Sequence, residues 1–176
     1  CYVLGYAGGR LRLFEDGQEV SLDYDADING EGPMAVCLSR DKRYVAAVDG
    51  PTVVVFNRET RALVGRLDGH RSLMRDITFG ANERVLGITW EGDLFSWSLM
   101  RAGVPPLVKE IGDGQRGLPG LVPCPNGTDR ILVVGTTAGV LIIDSSLRFI
   151  ASLLEDSIIA MGRQRACWTS NPDVVL

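Results

Sequence analysis

Few residues in this chain are of a type and spacing that can do chemistry. His70 is its single histidine. A catalytic or metal-binding imidazole needs partners that orient it and share its proton, and the sequence supplies none that are recognisable. Asp23, Asp25 and Asp27 have the opening spacing of a calcium loop, with Glu31 beyond them. The later glycine and bidentate glutamate positions of such a loop have no match, so these residues read as a solvated acidic loop. The four cysteines, Cys1, Cys37, Cys124 and Cys167, form no C-x-x-C motif. Cys37, Cys124 and Cys167 sit beside apolar residues and read as buried free thiols of a reducing compartment. No G-x-S-x-G, H-E-x-x-H or Walker A sequence occurs. The expectation is a non-enzyme with no cofactor and no metal.

The whole-chain numbers agree with a packed protein. The chain has 176 residues, 45% of them apolar and 23% charged, enough for a sizeable core. Its net charge of −4 argues against nucleic acid as a general partner, because phosphate binding needs a basic footprint. The longest uncharged apolar stretch, Ile131 to Ile143, falls short of the ~20 residues of a membrane span. No targeting or lipidation motif is visible, which predicts an intracellular, cytoplasmic protein without membrane insertion. The sequence opens on Cys1 rather than methionine, as expected of an excerpt or a processed product.

A repeat positions these residues. Four segments share one pattern of apolar run, tight turn and second apolar run: Tyr2 to Phe14, Tyr44 to Phe56, Val85 to Trp97 and Ile131 to Ile143. Their end residues are spaced by 42, 41 and 46 positions. The runs are rich in valine, isoleucine, leucine and aromatics, and the turns carry glycine, so each reads as a β-hairpin. Further short runs flank the hairpins: Met34 to Leu38 and Met74 to Phe79 upstream, and Ala62 to Leu67, Leu107 to Ile111 and Phe149 to Leu153 downstream. No segment shows a sustained helical period with caps, so the chain reads as all-β. Four-stranded antiparallel units at a period of ~40–45 residues describe β-propeller blades. The predicted blades are 1–27, 33–68, 73–112, 118–154 and 157–176, which is about 4.3 blades. Runs apolar at consecutive residues, such as Val53-Val54-Val55, suit a sheet covered on both faces.

The third unit resembles the WD-repeat family. Gly69-His70 stands at its Gly-His position, Met74, Ile77 and Phe79 form the spaced apolar strand, and Trp97-Ser98 stands where Trp-Asp is expected. Phe56-Asn57 and Ile143-Asp144 hold the same place in the second and fourth units. The resemblance implies a hydrogen-bonded network within the blade, here made of His70, Thr89 and Trp97, with Glu91 in place of the turn aspartate. It also implies a seven-bladed propeller of which this chain is part, the other blades coming from the same or another polypeptide. Tyr44 through Val64 is also similar to a YVTN-type propeller repeat, and a site in blades outside this chain is the alternative reading.

The fold implied by the repeat sorts charge to two ends. The end carrying the second turns and the inter-blade loops is acidic, at about −8, and the opposite end is basic, at about +6, a field that orients partners. Trp90 beside Glu91 is the candidate anchor on the acidic end, flanked by Asp68, Arg71 and Leu73. The predicted role is a non-catalytic protein–protein interaction scaffold in a multi-subunit complex, taking a basic peptide on the acidic end. The basic end is a second candidate surface, for an acidic polymer.

Overall fold

Hydrophobic pattern and turn chemistry set fifteen strands in the computed structural model, which describes residues 2–6, 10–20, 22, 35–49, 52–70, 72–101, 103–111, 120–136 and 139–152. They form four antiparallel sheets in which each strand pairs with its sequence neighbour. The first sheet holds β1 (Tyr2–Tyr6), β2 (Arg10–Glu15) and β3 (Gln18–Val20). The second holds β4 (Val36–Leu38), β5 (Tyr44–Asp49), β6 (Thr52–Asn57) and β7 (Leu63–Leu67). The third holds β8 (Met74–Phe79), β9 (Arg84–Thr89), β10 (Asp93–Ser98) and β11 (Leu107–Glu110). The fourth holds β12 (Gly120–Pro123), β13 (Ile131–Thr136), β14 (Gly139–Ile143) and β15 (Phe149–Ser152). No helix occurs among the described residues. The predicted fifth unit, residues 157–176, lies outside them, as do Met34 and the 7–9 turn.

The expected hairpins are present, and their register sets Tyr44 opposite Asn57, Val85 opposite Trp97 and Ile131 opposite Ile143. Strand β3 is an addition to the sequence reading. Asp16 and Gly17 both take positive φ, 49° and 82°, so a two-residue turn of the primed kind folds Gln18 back against Glu15.

Strand periodicity explains the core. Successive side chains point to opposite faces, so an uninterrupted apolar run serves two neighbouring sheets. Val45, Ala47, Val54 and Phe56 pack with Leu13 of the first sheet. The alternate residues Ala46, Val48, Val53 and Val55 pack with Met74, Ile77, Phe95 and Trp97 of the third. Leu86, Ile88 and Leu94 on the other face of that sheet pack with Ile131, Val133, Leu141 and Ile143 of the fourth. Burying each of the larger aliphatic or phenylalanine side chains among them contributes about 1.5–3 kcal/mol. The sheets approach one another most closely through β4, β8 and β12.

Polar clamps close the gaps between sheets. Asp76 on β8 accepts the Ile77 amide at 2.9 Å and, across the gap, the Leu121 amide of β12 at 2.8 Å. Asp129 accepts the Ser145 amide at 3.1 Å, the Ser145 hydroxyl at 2.8 Å and the Ala81 amide of the neighbouring sheet at 3.4 Å. The Ser96 hydroxyl donates to the Ser145 carbonyl at 2.6 Å, and Arg84 Nε donates to Ser96 Oγ at 2.8 Å.

Candidate functional site

The third sheet carries most of the residues singled out from sequence. Trp97 on β10 is buried and stacks on Phe95, centroids 5.5 Å apart and rings 14° from parallel. Its ring fits because residue 87 is glycine: a Cβ there would stand 2.7 Å from Met74 Sδ and 3.1 Å from the Trp97 ring. Trp97 Nε1–H donates to the Asp68 carbonyl at 2.7 Å, fixing the loop that leads to β8.

His70 meets Phe95 and Trp97 edge-on, each at 5.9 Å. Both of its nitrogens are buried with no hydrogen-bond partner among the described residues. Loss of solvent lowers its pKa, against the opposing pull of the Asp68 charge, so the ring is held neutral. Thr89 is buried, and its Oγ1 accepts the Asp93 amide at 3.0 Å. His70, Thr89 and Trp97 therefore do not share the hydrogen-bonded network that the resemblance implies. The physical reason lies at Glu91. The longer side chain turns outward and accepts the Ser72 hydroxyl rather than reaching back to the imidazole.

Trp90 is 37% exposed and Leu73 is 53% exposed. The Trp90 amide donates to the Leu73 carbonyl at 3.2 Å, which ties the β9–β10 turn to the loop before β8. The Arg75 guanidinium lies over the Trp90 ring, 4.6 Å from its centroid. Asp68 is exposed at the start of the same loop. Arg71 lies outside the described residues.

Strand register adds two residues that the sequence reading missed. Asp93 and Glu110 face each other directly across β10 and β11. Like charges in that relation oppose pairing. Burial raises the Asp93 pKa, and repulsion from Glu110 and then Glu91 raises it further. The five ion pairs among the described residues involve none of these three carboxylates. The neighbouring Lys109 turns away and donates to the Leu147 carbonyl at 3.2 Å. The signal was legible only with the hairpin register in place, which sets Glu110 opposite Asp93.

The opposite end is basic in sequence, and three of its arginines, Arg43, Arg58 and Arg148, are paired with carboxylates. The turns there meet, the Arg58 amide donating to the Arg43 carbonyl at 2.8 Å and the Leu99 amide to the Glu83 carbonyl at 3.1 Å. Arg43 lies 3.7 Å from Asp41 and 3.5 Å from Glu83, and Arg58 lies 3.4 Å from Glu15. Arg148 holds Asp144 at 2.6 Å. Arg84 is consumed by Ser96 and the Ser145 carbonyl.

No group of three or more potential metal ligands converges among the described residues. The calcium-like run Asp23, Asp25, Asp27 and Glu31 lies outside them. Cys37 and Cys124 are free thiols. Burial, with the Asp76 charge second, pushes the Cys37 pKa far above its ordinary value. No described helix is long and apolar enough to cross a membrane.

Neither a family model nor a curated protein matches the chain. Among solved structures it is similar to the computationally designed Ika8 protein. The two are 18% identical with a TM-score of 0.63, over 85% of this chain and 44% of that one. The chain thus spans less than half the length of that structure, and the likeness bears on the fold alone.

Proposed function

We propose that this chain is part of a WD-repeat-type β-propeller and serves as a non-catalytic protein-interaction scaffold that takes a basic peptide or domain at the Trp90 turn. The observation that carries the binding reading is the set of Glu91, Asp93 and Glu110, which join none of the ion pairs among the described residues and belong to the same sheet and turn as exposed Trp90. A folded protein gains nothing locally from opposing Asp93 to Glu110. A cationic partner would relieve that repulsion and cover the aromatic edge, combining charge steering with an apolar anchor. The propeller reading is supported by the sequential four-stranded sheets, by their burial of both faces, and by the approach of neighbouring sheets through their first strands. Its remaining blades, and the complex it joins, come from the same or another polypeptide.

Titration with labelled lysine- and arginine-rich peptides at low and high salt tests the binding reading. Binding should weaken with salt and fall about tenfold or more when Glu91 and Glu110 are both changed to lysine. Affinity that ignores both the salt and the charge reversal would overturn it.

A further inference from the structure

Strand β7 is the outer edge of its sheet and carries a glycine at its centre. Gly65 stands opposite Val55, so it belongs to the sheet face that Val55 turns toward Phe95 and Trp97. A Cβ built on Gly65 would meet nothing within 4 Å. Its φ lies outside the left-handed region, so a side chain would be tolerated there. A glycine inside a strand weakens it and often marks a bulge or a close approach by a ligand or another backbone. The β6–β7 register does shift here, between Val55 and Phe56. No described backbone fills that space.

What fills the view from Gly65 is a slot of about 370 Å³ between β7 and the 99–106 loop. Val64, Val104 and Pro106 line it, with Arg66 and Arg101. Val64 is 45% exposed and Val104 56%, so the walls are apolar and open. The floor is rigid. Trp97 Nε1–H holds the Asp68 carbonyl, and Gly69, at φ +103°, lets Pro106 come within 3.2 Å of where its Cβ would be. Arg66 reaches toward Asp49 at 4.0 Å. Arg101 is exposed and joins none of the ion pairs among the described residues.

We infer that this slot receives an extended acidic peptide, which adds as a strand to β7, sets an apolar side chain into the space beside Gly65, and places a carboxylate against Arg101. An uncovered sheet edge supplies main-chain hydrogen bonds for strand addition, and the pocket for alternate side chains supplies specificity. Asp68 also lines the slot, and the peptide's acid must avoid it. This surface differs from the Trp90 turn and selects the opposite charge.

The test uses the whole chain and an array of short labelled peptides that alternate valine with threonine and carry glutamate or lysine at one end. Glutamate peptides should bind and lysine peptides should not. Gly65→Val fills the slot and should weaken binding about tenfold or more while the Tm stays level or rises, valine being the better strand residue. Arg101→Glu, an exposed change, should weaken the glutamate peptides similarly and admit the lysine ones. Failure of every glutamate peptide to bind, or binding indifferent to both substitutions, overturns the proposal. So does concentration-dependent self-association that Gly65→Val abolishes, which would give the slot to a second copy of this chain. Neither substitution touches Trp90, Glu91 or Glu110, so the outcome is separable from that of the basic-peptide titration.

Discussion

Asp93 shows at the scale of one side chain how a local cost can mark a surface. Its carboxylate faces Glu110 across the strand pair and is held above the ordinary aspartate range by burial and by its acidic neighbours. A raised carboxylate pKa means that the folded state binds its proton more readily than the unfolded one. The associated stability is therefore present at low pH and is lost as pH rises through the raised value. Asp93→Asn should then stabilise the chain at neutral pH by about 0.2–1 kcal/mol, with the gain vanishing in acid, in urea melts at pH 7 and pH 3. The same substitution should weaken the basic peptide. Asp76 follows the same sign, its pKa raised by burial against the pull of the Leu121 and Ile77 amides. The Ile77 and Leu121 amides donate to different oxygens of Asp76, so Asp76→Asn can serve only one of them. It should destabilise, by a margin that narrows as pH rises above the ordinary aspartate range, whereas Asp76→Ala should cost about 1–3 kcal/mol by stranding the Leu121 amide. Guanidinium unfolding across pH separates the two. The sequence reading gives Trp97 and His70 a structural role. That Trp97 donates to the Asp68 carbonyl, and that neither His70 nitrogen finds a partner among the described residues, was not legible, because the one-carbon difference between Glu91 and an aspartate decides where that carboxylate reaches.

Elements were legible where pattern and turn agreed. Strands β5, β6, β8, β9 and β10 stand where the apolar runs predict them, since their side chains alternate between two covered faces. Strand β3 escaped because Gln18-Glu19-Val20 has no apolar pattern; the Asp16-Gly17 turn alone folds it back. The residues at the Trp-Asp position act as turn builders. Asn57 Oδ1 accepts the Glu59 and Thr60 amides at 2.9 and 3.0 Å. Asp144 Oδ1 accepts the Ser146 and Arg148 amides, both at 2.9 Å. Burial works against the Asp144 charge, but these amides and the Arg148 guanidinium outweigh it and hold the pKa below the ordinary range. The stability tied to that charge is present above the ordinary aspartate pKa and is lost as pH falls through the depressed one. Asp144→Ala should cost about 1 kcal/mol at pH 7 and less in acid, as read from thermal melts at the two pH values. Gly87→Ala should also destabilise, by about 1–3 kcal/mol, because Met74 and Trp97 must shift to admit the methyl; near-ultraviolet circular dichroism should report the altered tryptophan.

Stacking couples the sheets at the scale of the molecule. Phe56 is fully buried between the first and second sheets, where no single sheet could enclose it. Phe56→Ala should cost about 3–5 kcal/mol and lower the midpoint for both sheets together, which hydrogen exchange can follow strand by strand. A loss confined to β5 and β6 would mean that the sheets unfold separately. Nearest-neighbour stacking of this kind makes each sheet depend on those packed against it. The sequence by itself determined the all-β class, the four repeating units, most strand positions and the absence of a recognisable catalytic motif, because strand period, glycine turns and residue chemistry are local properties. Only the tertiary structure decided which carboxylates face one another, which arginines of the basic end are already paired, and that Gly65 opens onto a slot that no described residue fills. Those depend on register and on the contact of one sheet with the next, and side chains far apart in the chain meet only after both are set.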